Sequence, residues 1–338
     1  MTTKYVAHFM TIVAIASIIS AVYVYAYYEG QIADMRSTIT GLENDIANLL
    51  SELYKYRNLT LVDDRGYVLN LTSYPNRIVS LAPSNTEILF AVGAGDKVVG
   101  VTNYCNYPYN FSAWIEAGNL TSVGDYWTPN IEAIVSIEPD LILAAFAQEE
   151  VVNTLRGMGY KVLVLDPDNI DDILKDIVLV GRATNKDVEA GVLVNSLRQR
   201  IDAVVSKVAG AASTPKVYYE VWYDPIWSVG SENWENELIE KARGINIFAD
   251  QNLNYFMPSA EAVIERNPDV MIFPLGHGTE PPFWGSFDQV KARPGWDVIS
   301  AVQNNRLYTI DADVIARPGP RIVDALEILA QIIHPEVY

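Results

Sequence analysis

The sequence predicts an α/β protein with two Rossmann-like lobes joined by a long helix, preceded by an N-terminal transmembrane helix and a helical stalk. Short apolar strands alternate with helical segments in two successive blocks. The phrase "TPNIEAIVSIEPDLIL" in the first block is nearly repeated as "MPSAEAVIERNPDVMIF" in the second. An apolar stretch followed by a heptad pattern opens the chain. The predicted regions are 1–28 (transmembrane anchor), 29–57 (stalk), 58–168 (N-terminal lobe), 169–210 (linking helices) and 211–338 (C-terminal lobe).

Residues 6–28 form the apolar stretch, which contains one histidine and no formal charge. At about 1.5 Å per residue, a helix here reaches about 34 Å, enough for a hydrocarbon core of about 30 Å. Tyrosines gather at its end, as at a membrane interface: Tyr23, Tyr25, Tyr27 and Tyr28. Lys4 precedes the stretch and Glu29 follows it, so the positive-inside bias predicts a single-pass cell-membrane protein with its globular part outside. The alternative is a signal peptide cleaved after Ala26.

Apolar residues then recur at alternating spacings of three and four, the heptad pattern of a coiled coil. They are Ile32, Met35, Ile39, Leu42, Ile46, Leu49, Leu53 and Tyr56. Ile or Leu occupies each a position, which together with Leu at d favours a parallel dimer. The stalk is therefore predicted to form a homodimer. The alternative is one amphipathic helix lying on the globular domain or on the membrane surface.

Charge and sequons bear on the location and the partners of the protein. The formal net charge of -18 argues against nucleic acid or an anionic membrane surface as a partner, because both require basic patches. Asn-x-Ser/Thr sequons favour an outside location and mark candidate glycosylation sites. These are Asn58, Asn70, Asn110 and Asn119.

The N-terminal lobe begins with a predicted β-hairpin, because "LTLVDDRGYVLNLT" alternates around a turn at Asp64-Arg65-Gly66. Apolar runs then predict buried, mostly parallel strands, and periodic segments predict helices. In chain order they are "RIVSLA", a helix over 84–92, "KVVGVT", "DLILAA", a helix over 149–158 and "KVLVLD".

Two helices, over 171–182 and 186–208, are predicted to link the lobes, and the second would span about 30 Å. The alternation of strands and helices restarts after Pro215, which predicts the C-terminal lobe. Its elements are "KVYYEV", a helix over 236–243, "DVMIFP", "RLYTID" and a helix over 321–333.

The repeated phrase predicts the same local structure in both lobes. A proline precedes an Asn or Ser suited to capping a helix, and a Pro-Asp pair ends the helix seven residues after Glu132 and after Glu261. Both glutamates fall in a first turn, where an acid stabilises the helix by about 0.3–1 kcal/mol. Because such a glutamate recurs in both lobes, the two also suit a two-point electrostatic contact with a partner that carries paired basic residues.

Residues 77–335 resemble the helical-backbone substrate-binding proteins of ABC importers for cobalamin and ferric siderophores. The resemblance rests on "RIVSLAPSNTEILFAVGAGDKVVGVTNYCNYP", the two repeated phrases, "PIWSVG", the lobe-linking helix and "DADVIARPGPRIVDALEIL". In such proteins one glutamate on each lobe docks onto arginines of the permease. By motif position, the resemblance assigns this role to Glu132 and Glu261.

The family binds its ligand in the cleft between the lobes, through aromatic and a few polar side chains. The resemblance assigns this role to Tyr104, Tyr126 or its neighbour Trp127, Trp227, Tyr255, Asp313 and Arg317. These residues lie at strand ends and in loops, where α/β proteins bind ligands, and large rings suit a macrocycle. The alternative for any one aromatic residue is packing in a lobe core. Cys105 is predicted to be a small buried residue, or else to face the cleft.

Other classes of function fit less well. The chain has three histidines and no G-x-S-x-G, H-E-x-x-H or P-loop motif, so no enzyme activity, metal site or cofactor is predicted. A surface scaffold that has lost its ligand is one alternative. The predicted ligand is a cobalamin-like corrinoid; the alternatives are a ferric siderophore and haem, the latter with His277 or a cleft tyrosine as axial ligand. The loop over 274–287 could overhang the cleft and bring Trp284 to the ligand.

Overall fold

The computed structural model describes residues 2–55, 59–276 and 284–338, and within the first helix it describes side chains for residues 17–46. The chain divides into two compact units, Met1–Asn58 and Leu59–Tyr338.

The helices are α1 (Thr2–Lys55), α2 (Pro83–Ala91), α3 (Phe111–Glu116), α4 (Ile131–Ser136), α5 (Glu149–Gly157), α6 (Ile170–Thr184), α7 (Asp187–Val208), α8 (Trp234–Lys241), α9 (Ala260–Arg266), α10 (Phe287–Lys291), α11 (Ser300–Gln303), α12 (Ala312–Ile315) and α13 (Ile322–Ile333). The strands are β1 (Leu59–Val62), β2 (Val68–Leu71), β3 (Ile78–Ser80), β4 (Val98–Val101), β5 (Thr121–Ser122), β6 (Leu141–Ala144), β7 (Val162–Val164), β8 (Lys216–Tyr219), β9 (Ser228–Val229), β10 (Ile245–Asn246), β11 (Tyr255–Phe256), β12 (Val270–Leu275) and β13 (Leu307–Asp311). Short 3-10 helices cover Gly95–Lys97, Trp296–Val298 and Pro335–Val337.

The first unit consists of α1, one continuous helix that runs through both the predicted anchor and the predicted stalk. In the part of the chain that the structure describes, no helix is long and apolar enough to cross a membrane. The predicted transmembrane helix over 6–28 is therefore not supported. Its described side chains cover only residues 17–28, which in a helix measure about 18 Å.

The predicted heptad seam lies on α1, and its described members are exposed to solvent. They are Ile32, Met35, Ile39, Leu42 and Ile46. Three further members, Leu49, Leu53 and Tyr56, lie outside the described side chains, so pairing of the stalk stays a prediction.

The N-terminal lobe has the predicted hairpin and parallel sheet. Strands β1 and β2 pair antiparallel, with Leu59 opposite Leu71. The sheet behind them is parallel throughout, in the order β5-β4-β3-β6-β7. Strands β3, β6 and β7 are buried along their whole length because helices cover both faces, which explains their unbroken apolar sequences.

The C-terminal lobe contains a second parallel sheet, in the order β10-β8-β12-β13, and this confirms the predicted α/β class. Strands β9 and β11 form a separate antiparallel pair.

Trp284 is part of the core of the C-terminal lobe, where its Nε1 donates to the Pro274 carbonyl at 2.7 Å and its ring stacks on Phe287. The expectation that Trp284 reaches a ligand is therefore wrong, because the ring fills the core. His277 lies outside the described residues.

The aspartates of the repeated phrase tie equivalent strands together in the two lobes. The Asp140 carboxylate accepts the backbone N–H groups of Asn76 and Arg77, at 2.8 and 2.9 Å, just before β3. The Asp269 carboxylate accepts the N–H of Lys216, at 2.8 Å, at the start of β8. The repeat therefore marks the same helix-to-strand junction in each lobe, between α4 and β6 and between α9 and β12.

Helix α7 joins the lobes and packs against both α6 and α13. A Cβ atom on Gly181 would lie 2.4 Å from that of Ala190, so α6 and α7 approach as closely as a glycine allows. The largest buried cluster contains Ile78 from the first sheet and Val217 from the second. The two lobes therefore share one continuous hydrophobic core.

Candidate functional site

The candidate residues of the N-terminal lobe lie just after its strands. Tyr104 follows β4, and Tyr126 and Trp127 follow β5. Because β4 and β5 are parallel neighbours, their carboxyl ends meet at one edge of the sheet. The sheet thus brings the three aromatic residues to the same edge.

Asp125 joins the two loops that carry these residues. Its carboxylate accepts the Tyr104 hydroxyl at 3.0 Å and the backbone N–H of Trp127 at 2.7 Å. The hydrogen bond to Asp125 and its charge raise the pKa of Tyr104, whose side chain is otherwise exposed. Asp125 was not among the residues predicted from the sequence, although an acid directly after Gly124 near a strand end was a usable signal.

Tyr126 and Trp127 face different surroundings. The Tyr126 hydroxyl donates to the Phe146 carbonyl at 3.1 Å, and burial, with a smaller contribution from Asp166, raises the pKa of Tyr126 to about 12. The Trp127 side chain is 61% exposed and meets the Tyr126 ring edge to face. Of the two rings, that of Trp127 is the more exposed to solvent.

The candidate aromatic residues of the C-terminal lobe lie on its antiparallel pair. Trp227 directly precedes β9, and Tyr255 begins β11 opposite Val229. The Tyr255 hydroxyl points inward and donates to the carboxylate of buried Glu235 at 3.1 Å. Burial raises the pKa of Glu235 to about 8 and that of Tyr255 well above its usual range. Glu235 was not found from the sequence, where it is one of several acids in α8.

Arg317 and Asp313 lie where the two lobes meet, and Arg317 contacts residues of both lobes. The Arg317 guanidinium pairs with Asp313 at 2.7 Å and with Glu87 of α2 at 3.1 Å. It also donates to the backbone carbonyl of Tyr104 at 3.2 Å. The structure therefore brings three predicted site residues together, with Glu87 as a partner that no local pattern indicated.

The two glutamates of the repeated phrase occupy matching, exposed positions. Asn130 caps α4 by accepting the Ala133 N–H, and Ser259 caps α9 by accepting the Ala262 N–H. Both helices begin as predicted, and Glu132 and Glu261 stand in their first turns. The backbone N–H and the Ser259 hydroxyl lower the pKa of Glu261.

The remaining candidates are placed as follows. Cys105 is buried, as predicted, against the hydroxyl groups of Thr86 (3.1 Å) and Thr102 (3.4 Å), and burial raises its pKa. Of the sequons, Asn70, Asn110 and Asn119 are exposed and Asn58 lies outside the described residues. Within the described ranges, no group of acids, histidines and cysteine is arranged to hold a metal ion.

A model of the family described as "Periplasmic binding protein" matches residues 78–314. The chain belongs to the periplasmic binding protein family. The match confirms the resemblance stated from the sequence. Members are solute-binding proteins and not enzymes, which agrees with the predicted class of function.

Named relatives extend the comparison. An uncharacterised ABC transporter substrate-binding lipoprotein of Bacillus subtilis is 32% identical over 83% of this chain and 87% of its own length. A vitamin B12-binding protein of Vibrio cholerae is 31% identical over 74% of this chain and 86% of its own. The solved periplasmic haem-binding protein of a Roseiflexus species superposes with a TM-score of 0.67 at 25% identity, covering 78% of this chain and 99% of that one.

Proposed function

We propose that this chain is the extracytoplasmic substrate-binding protein of an ABC importer and that it captures a cobalamin-like corrinoid between its two lobes. The observation that carries the proposal is a set of aromatic side chains in both lobes: exposed Tyr104 and Trp127 after β4 and β5, and half-buried Trp227 and Tyr255 at the β9–β11 pair. Large rings suit the flat face of a macrocycle, with stacking of about 0.5–1.5 kcal/mol each. The similarity to a vitamin B12-binding protein supports the ligand class.

The charges near the cleft favour a corrinoid over an anionic ferric siderophore. Arg317 is buried and paired with Glu87 and Asp313, so its charge is already balanced inside the protein. An anionic chelate would have to compete with two carboxylates for that guanidinium. A corrinoid rich in neutral amides avoids this competition.

Haem is the second candidate, supported by the Roseiflexus relative. Among the described residues, Tyr104 is an exposed phenol beside the predicted cleft, and a tyrosine can serve as an axial haem ligand. The pKa of Tyr104 is raised by Asp125, however, which disfavours the phenolate that iron binds. Haem therefore ranks below a corrinoid.

Equilibrium dialysis of the purified full chain against cyanocobalamin, haemin and a ferric hydroxamate tests the ligand. We expect saturable binding of cyanocobalamin to the unmodified chain. Trp127→Ala should weaken that binding by about five- to tenfold, since a stacked ring contributes about 1–1.5 kcal/mol. Trp114→Ala, which removes an exposed tryptophan on α3, is the matched control and should leave binding unchanged. Absence of saturable binding to all three probes would contradict the proposal.

The permease-docking role of Glu132 and Glu261 is a separate proposal, supported by their exposure at equivalent helix starts. Reversing both charges with Glu132→Lys and Glu261→Lys should abolish uptake and leave ligand affinity unchanged, because neither residue belongs to the proposed cleft. Asp187→Lys, an exposed first-turn acid on α7, controls for the helix-dipole effect. If the double charge reversal instead lowers ligand affinity while the protein still docks onto the permease, the two glutamates do not form the docking site.

We also propose that the N-terminal helix attaches the protein to the membrane and that the exposed seam of α1 pairs two chains. The lipoprotein relative supports an extracytoplasmic location. Membrane fractionation of the native protein and sedimentation of the purified chain in detergent test the two parts independently. Glycosylation at the exposed sequons is tested by mass spectrometry of the native protein.

A further inference from the structure

A cluster of ion pairs crosses from one lobe to the other beside the candidate cleft. Glu87 belongs to α2 of the N-terminal lobe, whereas Asp313, Arg317 and Arg321 belong to the C-terminal lobe. Glu87 and Arg317 are 230 positions apart in the chain. The cluster therefore closes a long-range contact that is independent of the linking helix.

Two guanidinium groups converge on a single carboxylate. The Glu87 Oε1 atom accepts Arg317 Nη1 at 3.1 Å and Arg321 Nη2 at 2.7 Å, and its Oε2 accepts Arg321 Nε at 2.8 Å. Asp313 pairs with Arg317 at 2.7 Å and supplies the second negative charge. The two positive charges of the arginines are thus balanced by the two negative charges of Glu87 and Asp313.

The same guanidinium holds the loop that carries Tyr104. Arg317 donates to the Asn106 side-chain oxygen at 2.7 Å and to the Tyr104 carbonyl at 3.2 Å. The Asn106 amide group donates in turn to Asp313 at 2.8 Å. The loop between Tyr104 and Asn106 is therefore attached to the opposite lobe at its backbone and at one side chain.

Burial makes this arrangement costly to open. Arg317 is 8% exposed and Glu87 is 3% exposed. Separating one partner of such a buried pair leaves an uncompensated charge in the protein interior, which is strongly unfavourable. A ligand would have to supply that free energy to take Arg317 from Glu87, so a direct ligand contact is a poor role for this side chain.

We propose that Arg317 is a positioning residue: with Glu87 it latches the two lobes together and fixes the Tyr104 loop at the edge of the cleft. Tyr104 is then presented to ligand by a loop whose position is set from the opposite lobe. Arg321, whose guanidinium also lies 4.2 Å over the ring of Tyr107, extends the attachment to the next turn of that loop. The relevance to ligand capture rests on the proposed function, whereas the latch itself does not.

Hydrogen exchange of backbone amides in the full chain tests the latch without any ligand. Arg317→Lys keeps the charge but cannot bridge all of the partners, and exchange over residues 103–109 should accelerate about tenfold or more. The matched control is Arg200→Lys, because Arg200 also contacts two acids, Asp324 and Glu327, but lies on α7 away from the loop. Unchanged exchange over 103–109 in folded Arg317→Lys would overturn the proposal.

Asn106→Ala keeps the test decisive if Arg317→Lys does not fold. Asn106 is exposed, and its loss leaves the Glu87 pairs intact, so faster exchange should be confined to the loop and spare α2. If amide hydrogen exchange over residues 103–109 is unchanged in Asn106→Ala, the proposal that the opposite lobe holds this loop is wrong.

Cyanocobalamin binding to the same variants separates this proposal from the proposed function. If the unmodified chain does not bind cyanocobalamin, the proposed function is contradicted. The latch is then still tested by the hydrogen exchange of the variants, which needs no ligand. If the unmodified chain binds, weaker binding by Arg317→Lys is expected together with faster loop exchange. Weaker binding at unchanged exchange would mean that Arg317 touches the ligand directly, and the latch would be wrong.

Discussion

Glu235 makes the stability of the C-terminal lobe depend on pH. Its side chain is 1% exposed, with one oxygen accepting the Tyr255 hydroxyl and the other, Oε2, without a hydrogen-bond partner. Burial raises the pKa of Glu235 to about 8, against 4.5 for an ordinary glutamate. Between these two values the folded protein keeps a proton that the unfolded chain releases, so stability falls as pH rises, by about 1.4 kcal/mol per pH unit.

The free energy of unfolding that is lost by pH 7 through Glu235 follows from its folded and unfolded pKa values. It is about 3 kcal/mol, because the unfolded carboxyl has then been ionised over about 2.5 pH units while the folded one is still mostly protonated. Glu235→Gln replaces the group with a neutral side chain of the same shape and removes this loss. The variant should therefore be more stable than the unmodified chain at pH 7 by up to about 3 kcal/mol, and nearly equal to it at pH 4.5.

Urea unfolding followed by tryptophan fluorescence at pH 5, 6, 7 and 8 measures the difference. The free energy of unfolding of Glu235→Gln minus that of the unmodified chain should grow steadily with pH. Glu232→Gln, an exposed acid three residues earlier, is the control and should show no such growth. A difference that stays constant from pH 5 to 8 would refute the reasoning, whatever its size.

Two further predictions concern packing and helix starts. Gly181→Val on α6 should destabilise the protein by about 1–3 kcal/mol in urea unfolding, because the new Cβ would meet that of Ala190 on α7. Gly191→Val on α7, where nothing lies within 4 Å of a new Cβ, should cost much less, and equal costs would contradict the close approach of the two helices. Asn130→Ala and Ser259→Ala should each cost about 1 kcal/mol through loss of an N-cap, and a neutral effect in both would count against the matched helix starts.

Regular elements could be predicted closely because their sequences carry a period. Helix α6 was expected over 171–182 and runs over Ile170–Thr184; the apolar run "DVMIFP" became β12. Short elements were missed, since the two-residue strands β9 and β11 are too brief for alternation to show. Their pairing depends on the tertiary fold and not on local sequence.

The candidate site was predictable in its residue types more than in its contacts. The repeated phrase located both first-turn glutamates, and motif position selected Arg317 and Tyr126. The sequence could not indicate that Arg317 pairs with Glu87, because the partners are 230 positions apart, nor that the Tyr126 hydroxyl turns inward to a backbone carbonyl. Those outcomes depend on which groups the completed fold brings within hydrogen-bonding distance.

The burial of Cys105 has a practical consequence for spectroscopy. It is the one cysteine of the chain, it is enclosed by Thr86 and Thr102, and its raised pKa keeps it as a poorly reactive thiol near neutral pH. A cysteine introduced at an exposed position on each lobe can therefore carry a spin label or a fluorophore without first mutating the native thiol. Distance measurements across the lobes can thus be made on a chain whose cleft is otherwise unaltered.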